Sequence, residues 1–84
     1  MIKDLSNHSL VKEYLRLTKK ILKLRLTGHT TEKVEDTFAN DCDDVWYKMT
    51  TDETDYVNKA VLVMPEYIKW LNKREVTRYH NYVP

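Results

Sequence analysis

Charge divides this chain into two opposed neighbours. The stretch Ser9–Thr27 carries Lys12, Arg16, Lys19, Lys20, Lys23 and Arg25 against one acid, Glu13. The stretch Thr31–Met49 carries Glu32, Glu35, Asp36, Asp41, Asp43 and Asp44 against Lys33 and Lys48. Gly28, the single glycine, lies between them. Two helical segments of opposite sign about a glycine predict an antiparallel helical hairpin whose halves attract.

The remaining composition narrows the class. One glycine and two prolines in 84 residues leave too few turn formers for an all-β fold. The length suits one domain with a modest core. Cys42 is the sole cysteine, so no internal disulfide forms and a reducing compartment fits. The formal net charge of +1 gives no global attraction to a polyanion. No apolar run reaches the ~18–20 residues that span a bilayer. The start, Met1–Ser6, has no apolar signal region. The expectation is a soluble cytoplasmic protein with no membrane contact.

Residues 1–8 read as an arm, with Ser6, Asn7 and Ser9 as candidate N-caps. Helix 1 is expected over 9–27. Its apolar residues, from Leu10 to Leu26, cover roughly 200° of arc at 100° per residue, wider than a surface helix needs. That width predicts packing on two elements, or on one element and another protein. Helix 2, over 31–49, starts at Thr30 or Thr31, with Val34, Phe38, Cys42, Val45 and Met49 as its stripe. Thr50 and Glu53 have capping-box spacing and start helix 3, over 51–64. Trp46 is expected to pack on helix 3. Pro65 either starts a fourth helix or kinks a long third one. Residues 65–76 continue helically with Ile68 and Leu71 inward, and 77–84 read as an extended tail. The fold class is all-α, with three to four helices.

Arg25 falls within the apolar arc of helix 1, where a charge requires a partner. Asp36 and Asp41 are the candidate carboxylates for a structural ion pair. Asp41-x-Asp43-Asp44 has no central glycine and reads as helix, which excludes a calcium loop. His8, His29, His80 and Cys42 lack zinc spacing. Cys42 on an apolar stripe reads as core and not as a nucleophile. No catalytic, cofactor or metal-ligating set emerges, so the chain is expected not to be an enzyme and to need no cofactor.

The segment Leu10–Asn58 resembles a group of small uncharacterised bacterial and phage helical proteins. The residues that carry the likeness are Tyr14-Leu15, Leu24-Arg25 with Gly28, Glu35-Asp36, Asp43-Asp44-Val45-Trp46-Tyr47, Thr50 with Glu53, and Asn58. They match a leucine–arginine–x–x–glycine hairpin followed by aspartate–x–x–tryptophan and a threonine/serine–x–x–glutamate cap. The resemblance implies a helical hairpin with a third helix and no known activity. The Asn-, Lys-, Asp- and Tyr-rich composition suits a phage gene, which would place the protein in a host cytoplasm.

Three functions from different classes follow. The first is a non-enzymatic protein-interaction module, such as a phage-encoded modulator of a host protein or a self-associating protein. Its contact residues would be Tyr47, Tyr56, Tyr67, Trp70, Tyr79 and Tyr82, since aromatics are enriched at binding hot spots. The second is a nucleic-acid binder. It would use Lys12, Arg16, Lys19, Lys20 and Lys23 on helix 1, and Lys69, Lys73, Arg74 and Arg78 near the C-terminus. A solvated basic helix face gives the same pattern with no ligand. The third is a small-molecule or nucleotide binder at an oligomer interface.

Overall fold

Gly28 makes the hairpin. The computed structural model describes the backbone of residues 4–82 and the side chains of residues 4–73. Its four helices are α1 (Ser9–Leu26), α2 (Glu32–Lys48), α3 (Thr51–Leu62) and α4 (Pro65–Tyr82), with no strand among the described residues. Gly28 sits at φ +74°, the left-handed region that costs an L side chain about 1–2 kcal/mol. With that turn in place the His29 N–H donates to the Leu24 carbonyl at 2.9 Å and the Gly28 N–H to the Arg25 carbonyl at 3.3 Å. These are the two bonds of a Schellman motif, and they satisfy carbonyls that the end of α1 would leave unpaired.

The other helix starts follow from side-chain caps. The Val34 N–H donates to Thr31 Oγ1 and fixes the start of α2. At α3 both halves of the capping box form: the Glu53 N–H donates to Thr50 Oγ1 at 3.2 Å, and the Thr50 N–H to Glu53 Oε1 at 2.9 Å. The other oxygen of Glu53 lies 3.2 Å from His8 Nδ1. One buried carboxylate thus starts α3 and ties it to the entrance of α1.

The N-terminal segment departs from the expected arm. Leu5 is 3% exposed and forms a core cluster with Val11 and Val57. A turn closed by the His8 N–H on the Leu5 carbonyl carries it inward. That turn makes His8 the N-cap of α1, with no side-chain cap bond, so neither Ser6, Asn7 nor Ser9 caps the helix. Burial of Leu5 outweighs the capping preference of the serines, which is worth about 1 kcal/mol.

Two registers organise the helices. From Tyr14 to Arg25 is eleven residues, and from Glu35 to Trp46 is eleven. Arg25 meets Glu35 while Tyr14 stacks near Trp46, with ring centroids 5.7 Å apart. These contacts define one antiparallel register between α1 and α2. On the other side, His8 meets Glu53, Lys19 meets Glu66, Arg25 lies over Trp70, and Lys73 Nζ donates to the Leu26 carbonyl. Each partner is 45 or 47 residues further along the chain. A single parallel register therefore runs through α3 and α4 alike. Pro65 starts a new helix, with the Ile68 N–H bonded to the Met64 carbonyl, yet both helices follow one line along α1.

α1 is the shared wall. It packs on α2, α3 and α4, whereas among the described residues α3 and α4 touch lightly and α2 has no comparable contact with either. The broad apolar arc of α1 thus serves three intramolecular neighbours. The Cα radius of gyration, 14.7 Å, exceeds the about 12 Å of a compact chain of this length, and the shortest extent is 17 Å.

Several expectations need correction. Trp46 packs against the Leu5–Val11–Val57 cluster, whose Val57 belongs to α3, but it also meets the Tyr14 ring of α1. Ile68 is 46% exposed, because the break at Val63–Met64 resets the helical phase and turns Tyr67, Trp70 and Leu71 to the half-buried side instead. The extended tail is replaced by helix through Tyr82. No glycine or proline interrupts residues 66–83, and β-branched residues disfavour a helix by only a few tenths of a kcal/mol each.

The carboxylate opposite Arg25 is Glu35, and neither Asp36 nor Asp41. Arg25 Nε and an amino nitrogen donate to the two Glu35 oxygens at 2.7 and 2.9 Å. Glu35 lies at the level the register sets. Asp36 is rotated about 100° away from it, and Asp41 is more than a turn further along. The guanidinium is also 4.9 Å from the Trp70 ring centroid and 5.8 Å from that of Phe38, so one cation joins α1 to α2 and α4. Among the described residues it is the one ion pair joining α1 to α2.

Hydrogen bonding from Arg25 holds the Glu35 carboxyl below its ordinary value of 4.5. A depressed folded pKa adds stability above the ordinary value, and that stability is lost as pH falls through the folded one. We therefore expect Arg25→Met to lower stability by about 1–3 kcal/mol near pH 7. The deficit should shrink as the pH is lowered past about 4. Thermal melts of the two proteins from pH 7 to pH 3 check this, and superimposable curves at neutral pH contradict it.

Candidate functional site

The α1–α2 hairpin has two sides, and among the described residues only one is filled. Val11, Thr18 and Leu22 are buried and fall within about 40° of each other on α1. That arc faces α3 and α4. About 110° around the helix lies a second arc holding Leu24, Leu17 and Ile21. Here α1 and α2 enclose an open groove of about 340 Å³. Its floor is Leu17, Ile21 and Leu24 from α1, with Val34 and Phe38 from α2. Its edges are polar, with Lys20 on the α1 side and Lys33, Thr37 and Asp41 on the α2 side. Ile21 is fully covered, whereas Leu17, Leu24, Val34 and Phe38 are half-buried.

The local sequence explains the groove. Leu10, Tyr14, Leu17, Ile21 and Leu24 are spaced four, three, four and three, the repeat of a coiled-coil seam. Val34 and Phe38 begin the same repeat on α2, but Asp41 stands where the next apolar residue belongs. The apolar floor of α2 therefore stops after Phe38 and a carboxylate meets the groove beside Lys20. An apolar trough of this size with a few charged edges can take a small apolar ligand or a helix from another protein. The heptad spacing was the signal for it in the sequence, where it was absorbed into the overall width of the arc.

Among the described residues the aromatic candidates do not form one surface. Tyr47 is 83% exposed at the far end of α2. Tyr56 is half-buried against the core cluster. Tyr67 and Trp70 are half-buried on α4 with ring centroids 6.1 Å apart, and Trp70 also carries Arg25. The side chains of Tyr79 and Tyr82 lie outside the described residues. A separate apolar patch, Leu62, Val63 and Ile68, is exposed where α3 gives way to α4.

The basic candidates are partly engaged. Arg16 forms a bidentate pair with Glu13 at 2.6 and 3.1 Å, and Lys19 meets Glu66 at 3.8 Å. Lys73 caps the end of α1. Lys12, Lys20, Lys23 and Lys69 are exposed. The side chains of Arg74 and Arg78 lie outside the described residues. Among the described residues, no group of three His, Cys, Asp or Glu side chains could hold a metal ion, and no helix is long and apolar enough to cross a membrane.

Cys42 is buried, and burial, with Asp41 and Asp43 nearby, pushes its thiol up to about 11.

No protein-family model matches the chain, and neither does any curated protein or solved structure.

A thiol pushed up to about 11 is almost wholly protonated at neutral pH. Labelling of Cys42 by a thiol-specific reagent at pH 7.5 should therefore be slow in the folded protein and reach completion in denaturant. Rapid labelling without denaturant would show that the thiol is open to solvent.

Proposed function

We propose that the chain is a non-enzymatic protein-interaction module and that the groove between α1 and α2 is its docking surface. The observation that carries this reading is a half-open apolar floor, Leu17, Leu24, Val34 and Phe38, that no element of the described chain covers. Half-buried leucines at seven-residue spacing along a helix offer the anchors that a partner helix uses. The non-enzymatic part draws on three carboxylates that are already engaged within the fold. Glu13 pairs with Arg16, Glu35 with Arg25, and Glu53 with Thr50 and His8. The resemblance to small phage proteins adds the expectation of a phage-encoded modulator acting in a host cytoplasm.

The alternative, a nucleic-acid interface on α1, draws on fewer side chains than the sequence suggested. Arg16 and Lys19, though exposed, have carboxylate partners, which leaves Lys12, Lys20 and Lys23 as the exposed lysines of that helix with none among the described residues.

One experiment separates the two. The full chain and a Leu17→Asp/Leu24→Asp variant of matched helicity are tagged and used to capture partners from a cell lysate treated with nuclease. Protein retained by the wild type after nuclease and lost from the variant is the expected result. Retention that depends on nucleic acid or that is equal for both baits contradicts the proposal, and so does a wild type that neither retains a protein nor self-associates.

A further inference from the structure

The groove lies on a hairpin with one positive and one negative helix, and that asymmetry restricts what can cover it. The inference rests on the docking reading above and names the occupant. We propose that the groove is filled by a second copy of this chain, packed about a two-fold axis parallel to the helices, so that α1 of each protomer lies on α2 of the other.

Three observations support this occupant. The first is shape. The groove side of the hairpin presents two seams, Leu17–Leu24 with Ile21 on α1 and Val34–Phe38 on α2. A two-helix seam is matched by another two-helix seam, which gives an antiparallel four-helix bundle. A symmetric contact also needs one self-complementary surface only.

The second is charge. Two hairpins can face each other about a two-fold axis in two ways. An axis perpendicular to the helices sets α1 against α1, six basic residues and one acid on each side. An axis parallel to the helices sets α1 against α2, which has six acidic and two basic residues. Only the second brings opposite signs together, and like-charge juxtaposition across an interface disfavours the first. Lys20 and Asp41 mark the two edges of the groove, so the parallel axis sets Lys20 toward the partner's Asp41 and Asp41 toward the partner's Lys20. At a net charge of +1 the whole molecules repel only weakly.

The third is the size of the core. Among the described residues six apolar side chains are buried, Leu5, Val11, Ile21, Leu22, Cys42 and Val57. Among the described residues α2 packs chiefly against α1. A second hairpin on the groove would cover Leu17, Leu24, Val34 and Phe38 and give α2 a second neighbour.

The test is the molar mass of the full chain by sedimentation equilibrium between about 1 and 100 μM, a range that brackets micromolar association. The expected mass tends to twice 10.1 kDa at high concentration and toward 10.1 kDa on dilution. Two charge variants then test the arrangement. Lys20→Glu gives the groove two acidic edges, and Asp41→Lys gives it two basic ones. Each alone should self-associate at least about ten-fold more weakly than wild type, and an equimolar mixture should recover the dimer mass. Circular dichroism confirms that each variant is folded. A wild-type mass of 10.1 kDa at all concentrations overturns the proposal. So does a dimer that neither charge variant weakens, since its contact would lie elsewhere. A monomeric wild type that still captures another protein through the groove would overturn the second copy as occupant while leaving the docking reading intact.

Discussion

Every helix in this protein depends on its contact with α1. The core cluster joins the start of α1 to α3, the Arg25–Glu35 pair and the Tyr14–Trp46 stack join it to α2, and Lys19 and Lys73 join it to α4. Among the described residues the other three helices touch one another only lightly. In a closed bundle each helix is supported by at least two neighbours. Here α2 rests along one wall, so its far side and the adjoining strip of α1 remain as an apolar trough. The same feature that makes the fold simple also leaves it with an exposed seam.

The treatment of Arg25 shows how a charge can sit inside such a small protein. A guanidinium presents planar donors and polarizable faces, so it satisfies a carboxylate through its edge while stacking on aromatic rings. Glu35 takes the edge, and the rings of Trp70 and Phe38 lie at 4.9 and 5.8 Å. A lysine here would keep the charge but lose the fork and most of the stacking. Glu53 works in a similar way at the opposite end of the molecule, since one carboxylate caps α3 and reaches His8. Hydrogen bonding from the Thr50 N–H and from His8 holds that carboxyl below its ordinary value.

Local chemistry was readable in the sequence, and tertiary choice was not. The Gly28 stop and the Thr50–Glu53 box depend on residues a few positions apart, and both form as the spacing dictates. The all-α class followed from the lack of turn formers. Asp36 and Asp41 were offered as partners of Arg25, and not Glu35, because no local pattern encodes how the loop offsets the two helices, and one residue of error rotates a side chain by about 100°. Leu5 was missed because an isolated leucine among polar residues carries no periodic signal. Ile68 was placed inward because its phase was carried across Pro65. The wide apolar arc was read correctly as more surface than one neighbour covers. Its division into a filled face and an open groove depends on how α3 and α4 lean, which no local pattern encodes.

The account rests on α1 being the shared wall and on the hairpin's second side being its open surface. Amide hydrogen exchange of the full chain, followed residue by residue at low and high protein concentration, tests both together. Slowest exchange should fall in the centre of α1 at either concentration, where three helices cover the backbone. Protection of α2 should rise with concentration, and that of α3 should not change. Equal protection of α1 and α2 in dilute solution, or a concentration effect confined to α3, would contradict the account.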